Sequence, residues 1–292
     1  TLDTRDFLVT AGPHHARPRE RIIGVRRGRI RGTWRIDPEA MTFADVLLTT
    51  AGSRVRVPRI HLGFDNSFYA EAHAEVLDLA DVTPLTDAIA LAGVGTANVF
   101  IGPDFDAPKV HGDATLAGLE FDFLRLGDVS AEFRLRDDYL GVNLSDVRGT
   151  KAASAYRVET LAIDLTEGVE VTGELQASRL ALADVYHLFQ LDRDERFEPF
   201  QGMARGHMGI HFTYGRPGYD PGGTFDGAMD FELLSAELAG FAFDRGRFQG
   251  ALDWRDLSRG IDGAQVVIDH FGLRKEAGSV AIQGRMDRGT EL

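Results

Sequence analysis

Nine histidines and 45 carboxylates are the side chains here that could hold a metal or move a proton, because the chain contains no cysteine. That absence removes disulfides, thiol catalysis and thiolate metal sites together. His207 and His211 share a strand face, but four residues along a strand is about 13 Å, far beyond shared coordination. His14-His15 lies in a Pro- and Arg-rich loop and reads as solvated. Asp192-x-Asp194 with Glu198 lacks the glycine and the twelfth-position ligand of a calcium loop, so it reads as a charged insertion. Gly93-x-Gly95 is followed by Asn98 and opens a strand, which is not a dinucleotide fingerprint. There is no Gly-x-Ser-x-Gly elbow and no phosphate-binding loop. Carboxylate pairs are spread so widely that none stands out as a hydrolytic dyad. The expectation is a binding protein, not an enzyme, with no catalytic residue, no metal and no cofactor.

The elements that carry these residues are strands. Val129, Ala131, Phe133 and Leu135 alternate with Ser130, Glu132, Arg134 and Arg136. Val169, Val171, Gly173 and Leu175 alternate with Glu170, Thr172 and Glu174, and Met208, Ile210, Phe212 and Tyr214 with His207, Gly209, His211 and Thr213. Leu119, Phe121 and Phe123, and Phe225, Gly227, Met229 and Phe231, repeat the pattern. Period-two alternation gives each strand one apolar and one wet face. Strands buried on both faces in a parallel sheet would read as continuous apolar runs, so this sheet is antiparallel with one solvated side. About seventeen strands follow, among them 42–49, 54–64, 67–77, 94–101, 109–119, 140–147, 154–165, 245–254, 263–271 and 278–286. Short polar turns such as Asp137-Asp138, Thr166-Glu167-Gly168 and Gly222-Gly223 separate them. Two short helices are expected, from Asp81 to Ala90 and from Asp184 to Leu191, each opened by an N-cap Asp. The chain is all-β.

Composition sets further bounds. The 292 residues are 43% hydrophobic and 26% charged, with a net charge of −13. An acidic balance argues against a nucleic-acid partner, whose affinity rests on neutralising phosphates. The charge is uneven: residues 1–36 hold nine arginines against Asp3, Asp6 and Glu20. The arginines from Arg17 to Arg35 read as an exposed solvated strand, or as a contact for anionic head groups or a preceding repeat. No apolar run approaches the ~18–20 residues that span a bilayer. The chain opens without Met or a signal peptide and ends in strand-like sequence, so it reads as a segment of a longer protein.

A repeat underlies the alternation. Leu77-Asp-Leu-Ala-Asp-Val82 recurs as Leu180-Ala-Leu-Ala-Asp-Val185. Upstream, Val55-Arg-Val57, Ile60, Leu62 and Phe64 match Tyr156-Arg-Val158, Leu161, Ile163 and Leu165. With a diverged copy over Phe241 to Gly284, the repeats fall at about 22–103, 104–202 and 203–292, as a segment of a larger array. Seventeen rungs would give a sheet on the order of 80 Å long.

So large an apolar face must be covered by a second sheet, closed into barrels, or bent around an apolar guest. The aromatics are 19 Phe, 6 Tyr and 2 Trp, and Phe, with no polar tip, suits a surface that meets only hydrocarbon. Phe121, Phe123, Phe133, Phe212, Phe231, Phe243 and Phe248 would equally fill a sandwich core. Between repeats, Gly102-Pro103-Asp104-Phe105-Asp106-Ala107-Pro108-Lys109-Val110-His111-Gly112 makes a turn and an X-Pro restart into a strand.

With the Leu-x-Leu-Ala-Asp-Val elements and the alternating strands, this punctuation resembles the AsmA-like family and, within it, TamB-type proteins, from about Ile22 to Met286. The charged Asp192-Arg-Asp-Glu-Arg196 stretch between Leu188 and Phe200 departs from the pattern. The resemblance implies an elongated antiparallel sheet bent into a U with an apolar inside, a β-taco, with short helices between repeats. It implies a bridge in the Gram-negative periplasm, held to the inner membrane by an N-terminal anchor that this segment lacks. Its cargo would be phospholipid, carried by acyl chains in a hydrophobic groove toward the outer membrane. The alternatives are a scaffold for outer-membrane β-barrel assembly with a barrel partner, and a purely structural β-sandwich repeat. The expected groove stripe is Phe121, Phe123, Val129, Phe133, Leu135, Leu161, Ile163, Leu165, Val169, Val171, Leu175, Met208, Ile210, Phe212, Phe225, Met229, Phe231, Phe241, Phe243 and Phe248. On this reading Phe212→Asp or Phe231→Asp blocks transport and leaves the fold.

Overall fold

The computed structural model describes residues 1–10, 21–83, 91–121, 124–188, 192, 200–215, 223–238, 240–257, 263–276 and 278–287. The chain is all-β and antiparallel, and it divides into two compact units, Thr1–Asp122 with Asp128–Ser145, and Phe123–Gly127 with Asp146–Leu292. The division falls inside the second sequence repeat.

The first unit holds β1 (Leu2–Thr10), β2 (Arg21–Ile36), β3 (Ala40–Thr49), β4 (Arg54–Gly63), β5 (Phe68–Asp78), β6 (Val82–Thr83), β7 (Leu91–Gly102) and β8 (Lys109–Phe121). Strands β9 (Leu124–Leu135) and β10 (Gly141–Lys151) contribute residues to both units. Neighbours in sequence pair as an antiparallel meander, β1 on β2, β2 on β3, β3 on β4, β4 on β5, β5 on β7 and β7 on β8. The two-residue β6 lies on β2 through Gly24↔Thr83 and Val25↔Val82.

The second unit holds β11 (Ser154–Asp164), β12 (Val169–Ala181), α1 (Leu182–Leu188), β13 (Phe200–Tyr214), β14 (Thr224–Leu238), β15 (Phe241–Phe243), β16 (Arg245–Trp254), β17 (Ala264–Lys275) and β18 (Gly278–Asp287). It too is a meander, β11 to β18 in order, with β15 on the end of β14 beside β16. Local chemistry makes the hairpins tight. In the turn after β11, Asp164 Oδ1 accepts the Thr166 N–H at 2.8 Å and Gly168 takes a φ of +107°, which costs an L side chain strain.

The repeated Leu-Ala-Asp element has one job in both units. Asp81 Oδ2 accepts the Thr50 hydroxyl and the Gly52 N–H, both at 2.6 Å, while the buried Ser53 Oγ accepts the Asp78 N–H at 2.9 Å. In the second unit Asp184 Oδ2 accepts the Ser154 hydroxyl at 2.7 Å and the Ala153 N–H at 3.0 Å, and Ser154 Oγ accepts the Ala181 N–H at 2.9 Å. Each acid therefore anchors the preceding hairpin turn through a buried serine, across about 30 residues of chain.

This corrects the helix expectation. Asp81 closes a single 3₁₀ turn at Leu79–Asp81, and Val82–Thr83 returns to the sheet; residues 84–90 lie outside those described. The second helix starts at Leu182, two residues before Asp184, whose carboxylate reaches the neighbouring turn instead of capping. Residues 189–191 of that expected helix, and all of the charged insertion except Asp192, also lie outside the described residues.

Candidate functional site

The second unit's strands set their apolar side chains on one face in cross-strand rows. One row runs Ile163–Val171–Phe212–Phe225–Trp254–Ala264. Another runs Val158–Leu175–Met208–Met229–Gly250–Ile268, and a third Tyr156–Ala177–Gly206–Phe231–Phe248–Phe271. Leu161, Gly173 and Ile210 form a shorter row, and Leu180–Ala204–Leu233–Gly246–Leu273 closes the set. Tyr156 has a polar tip, and its hydroxyl donates to the Leu126 carbonyl at 2.9 Å. Directly opposed side chains in adjacent strands touch, so each row is an apolar track, interrupted where Gly173, Gly206, Gly246 or Gly250 stands in it.

The sheet bends over this face. Phe200 on β13 and Phe271 on β17 are three strands apart and six residues out of row, roughly 25 Å on a flat sheet. Their ring centroids are 5.6 Å apart, edge to face, and Phe271 lies 6.4 Å from Phe248. Contact at that range requires strong curvature toward the apolar side, so within this unit the face is concave. The bend closes on a core of Ala177, Ala204, Phe231, Leu233, Ala236 and Leu273. Helix α1 covers one end: the Tyr186 hydroxyl donates to the Phe200 carbonyl at 2.9 Å, and burial pushes its pKa up to about 12.

The stripe expected from sequence sorts into three groups. Val169, Val171, Phe212, Phe225 and Phe231 are buried. Leu161, Ile163, Leu175, Met208, Ile210, Met229, Phe243 and Phe248 are half-buried and line the concave surface, and Leu165, in the turn after β11, is half-buried. Phe241, at the end of the sheet, stands 70% exposed. Phe121, Val129, Phe133 and Leu135 belong to the first unit, where Val129 and Leu135 are buried and Phe121 and Phe133 half-buried. The Phe133 ring rests on Gly112, where an added Cβ would sit 2.9 Å from Cζ. Phe123 lies outside the described residues.

Sequence reading missed Tyr156, Ala177, Leu233, Trp254, Phe271 and Leu273, all on the same face. Leu233 hides because Leu233-Leu234 breaks the alternation where the β13–β14 register shifts at Met203/Ala204. Tyr156 was visible through its match to Val55 in the repeat.

The opposite face is polar. Arg205 pairs with Glu232 at 2.6 Å, and His211 lies between Glu170, at 3.1 Å, and Asp226, at 2.8 Å. Hydrogen bonds from Arg247 and Gln249 hold the Asp230 carboxyl below its ordinary range. His207 and His211 both lie on this face, across from Asp230 and Asp226 respectively. Among the described residues no three His, Asp or Glu side chains converge as a metal site, and no helix is long and apolar enough to cross a membrane.

Fold and site together define an all-β repeat protein whose distinguishing surface is a concave apolar sheet face. Comparison with family models, curated proteins and solved structures found no match.

Proposed function

We propose that the concave face of the second unit holds phospholipid acyl chains, and that the chain is a segment of a periplasmic bridge carrying lipid between the two membranes of a Gram-negative bacterium. The observation that supports this reading is the set of half-buried large side chains, Leu175, Met208 and Met229 in one row and Phe248 in the next, left partly open on a face that the protein's own sheet curves around. Each acyl CH₂ kept from water contributes about 0.8 kcal/mol, so a chain of about sixteen carbons crosses water only along an enclosed apolar path. Rows of similar depth, with methionine and glycine interspersed, favour sliding over tight capture. Head groups would stay at the open seam in solvent, and binding rather than bond-making is the activity.

Native mass spectrometry and organic extraction of the protein, purified without detergent from a Gram-negative host, test this. The expected result is at least one phospholipid per chain, reduced in Met208→Asp and Met229→Asp, which change partly open positions. A stable, monodisperse and lipid-free protein would overturn it in favour of a structural sheet repeat.

A further inference from the structure

The turns at one end of the first unit form an acidic rim that acyl-chain binding does not use. Four turns meet there, at 37–39, 64–67, 103–108 and 136–140. Hydrogen bonds tie them together. The Phe64 N–H donates to the Glu39 carbonyl at 2.8 Å, the Phe105 N–H to the Asn66 carbonyl at 2.9 Å, and the Tyr139 hydroxyl to the Pro108 carbonyl at 3.0 Å. Asp37 and Glu39, Asp65, Asp104 and Asp106, and Asp137 and Asp138 bring seven carboxylates to these turns, against Arg136 and the adjacent Lys109. Arg136 is taken up by Asp138. Among the described residues no ion pair joins Glu39, Asp104 or Asp106 to a base. Hydrogen bonds from the Ala40 N–H and the Ser67 hydroxyl hold the Asp37 and Asp65 carboxyls below their ordinary range, so the rim keeps its charge in mild acid.

Two aromatic rings stand among these acids. Phe64 is 63% and Phe105 52% exposed, the first next to Asp65 and the second between Asp104 and Asp106. The Phe105 ring is held edge to face on Phe68, with centroids 5.9 Å apart, and Ser67 bridges to Asp104, so the two Phe-Asp elements lie on adjoining turns. A ring and a carboxylate together recognise a guanidinium or ammonium group, by cation–π attraction and charge-assisted hydrogen bonds. The charge turns away nucleic acid and anionic membrane, whereas aromatics and arginine are the groups enriched where proteins meet. Successive turns are two strands apart, about 10 Å on a flat sheet, which is three residues of an extended chain.

We infer that this rim docks an extended segment of a partner protein that carries a basic residue at every third position, with apolar residues between. The carboxylates of successive turns pair with the bases, while Phe64 and Phe105 lie against their alkyl stems and apolar neighbours. A polyproline-II segment repeats a side chain on one side at about 9.3 Å, which matches the spacing of the turns. The hydrogen bonds between turns leave little of the rim to be ordered on binding.

The test is fluorescence anisotropy of the full chain with a labelled peptide of repeated Arg-Leu-Pro units. Its controls are a permuted peptide of the same composition with the arginines adjacent, and a Glu-Leu-Pro version. Wild type is expected to bind the periodic peptide on the order of tenfold more tightly than the permuted one, and the Glu version not at all. Asp104→Asn with Asp106→Asn, and separately Phe64→Ser with Phe105→Ser, should each weaken the periodic peptide on the order of tenfold with the wild-type melting curve retained. If the Phe pair melts lower, the Asp pair decides. Equal binding of the two arginine peptides, or variants that bind like wild type, would reduce the contact to general attraction by a chain of net charge −13 and overturn the inference. So would binding to phosphatidylcholine vesicles that the Phe pair abolishes, because the rings would then serve a membrane. The groove reading is scored separately, by lipid co-purified with the Asp variant.

Discussion

The two units use the same alternation to build apolar faces of different depth. In the first, the buried hydrophobic residues among those described are Ala40, Ala70, Ala74, Ala97, Val129 and Leu135, and the large side chains Trp34, Ile36, Phe64 and Phe105 stand more than half exposed. In the second, Phe212, Phe225, Phe231, Leu233, Trp254 and Leu273 are buried, and among the large apolar groups only Leu234, Phe241 and Val280 stand exposed among the described residues. A period-two pattern therefore reports which face is apolar but not how much apolar volume that face carries. Volume depends on residue size at each rung, and among the described residues the second unit buries Phe and Trp rings where the first buries mostly alanine methyls. The same comparison separates roles: a deep, curved face in one unit, and a shallow face backed by arginine in the other.

The sharpest way to break that contrast is to empty each face. Phe231→Ala should cost about 3–5 kcal/mol, because it removes a ring packed against Leu233, Ala204 and Leu273. Ala97→Gly in the first unit should cost about 1 kcal/mol or less, since only a methyl is lost. Chemical denaturation of the two variants decides it, and equal losses would mean that the faces do not differ in depth. By the same reasoning Phe212→Asp and Phe231→Asp, at 3% and 8% exposure, should unfold the second unit. They cannot report on transport, which corrects the expectation from sequence; the half-open Met208 and Met229 are the positions that can.

The serine anchors sharpen the comparison from the other side, because here the units agree. Ser154→Ala leaves the buried Ala181 N–H without its acceptor and frees Asp184 from its hydroxyl. Ser53→Ala does the same to Asp78 and Asp81. Each should cost about 1–3 kcal/mol. Double-mutant cycles with Asp184→Asn and Asp81→Asn should show coupling of about 0.5–3 kcal/mol in both units. Coupling in one unit alone would mean that the repeated motif is retained for different reasons. An effect of the same size is expected at Gly149, where an added Cβ would meet the Tyr156 ring at 1.9 Å. Gly149→Ala should displace that ring from the Leu126 carbonyl, at a cost of about 1–3 kcal/mol.

Much of this was legible in the sequence, and the failures have physical causes. Strand edges such as 54–63, 154–164 and 245–254 came out within a residue because alternation and turn residues agree there. The Leu-Ala-Asp repeat was visible as a repeat, yet its acid looked like a helix cap. Its partners, Ser53 and Ser154, lie about 30 residues upstream, so no local rule connects them. The curvature that brings Phe200 to Phe271 was equally hidden, because it arises from bulges and register shifts spread over four strands. Side-chain facing survives a bulge only if the extra residue is known, which is why Leu233 and Leu273 were missed while Met208 and Phe212 were found.

The smallest expected effect is a pH dependence at the first unit's anchor. Partial burial alone would raise the Asp81 carboxyl, but hydrogen bonds from Thr50, Gly52 and Ser53 together outweigh it and hold it below the ordinary 3.8. A carboxyl depressed in the folded state contributes stability that is fully present above its unfolded value and is lost as pH falls through the folded one. The first unit should therefore keep this contribution from neutral pH down to about 4 and lose it below. Asp81→Asn replaces the charge-assisted acceptor with a neutral one, so the variant should be weaker at neutral pH and flatter below pH 4. Urea midpoints for wild type and Asp81→Asn, read on a first-unit probe such as Trp34 fluorescence, should converge in acid. Parallel curves would place the stabilising hydrogen bonds of this turn on the serine alone and leave the carboxylate without a part in it.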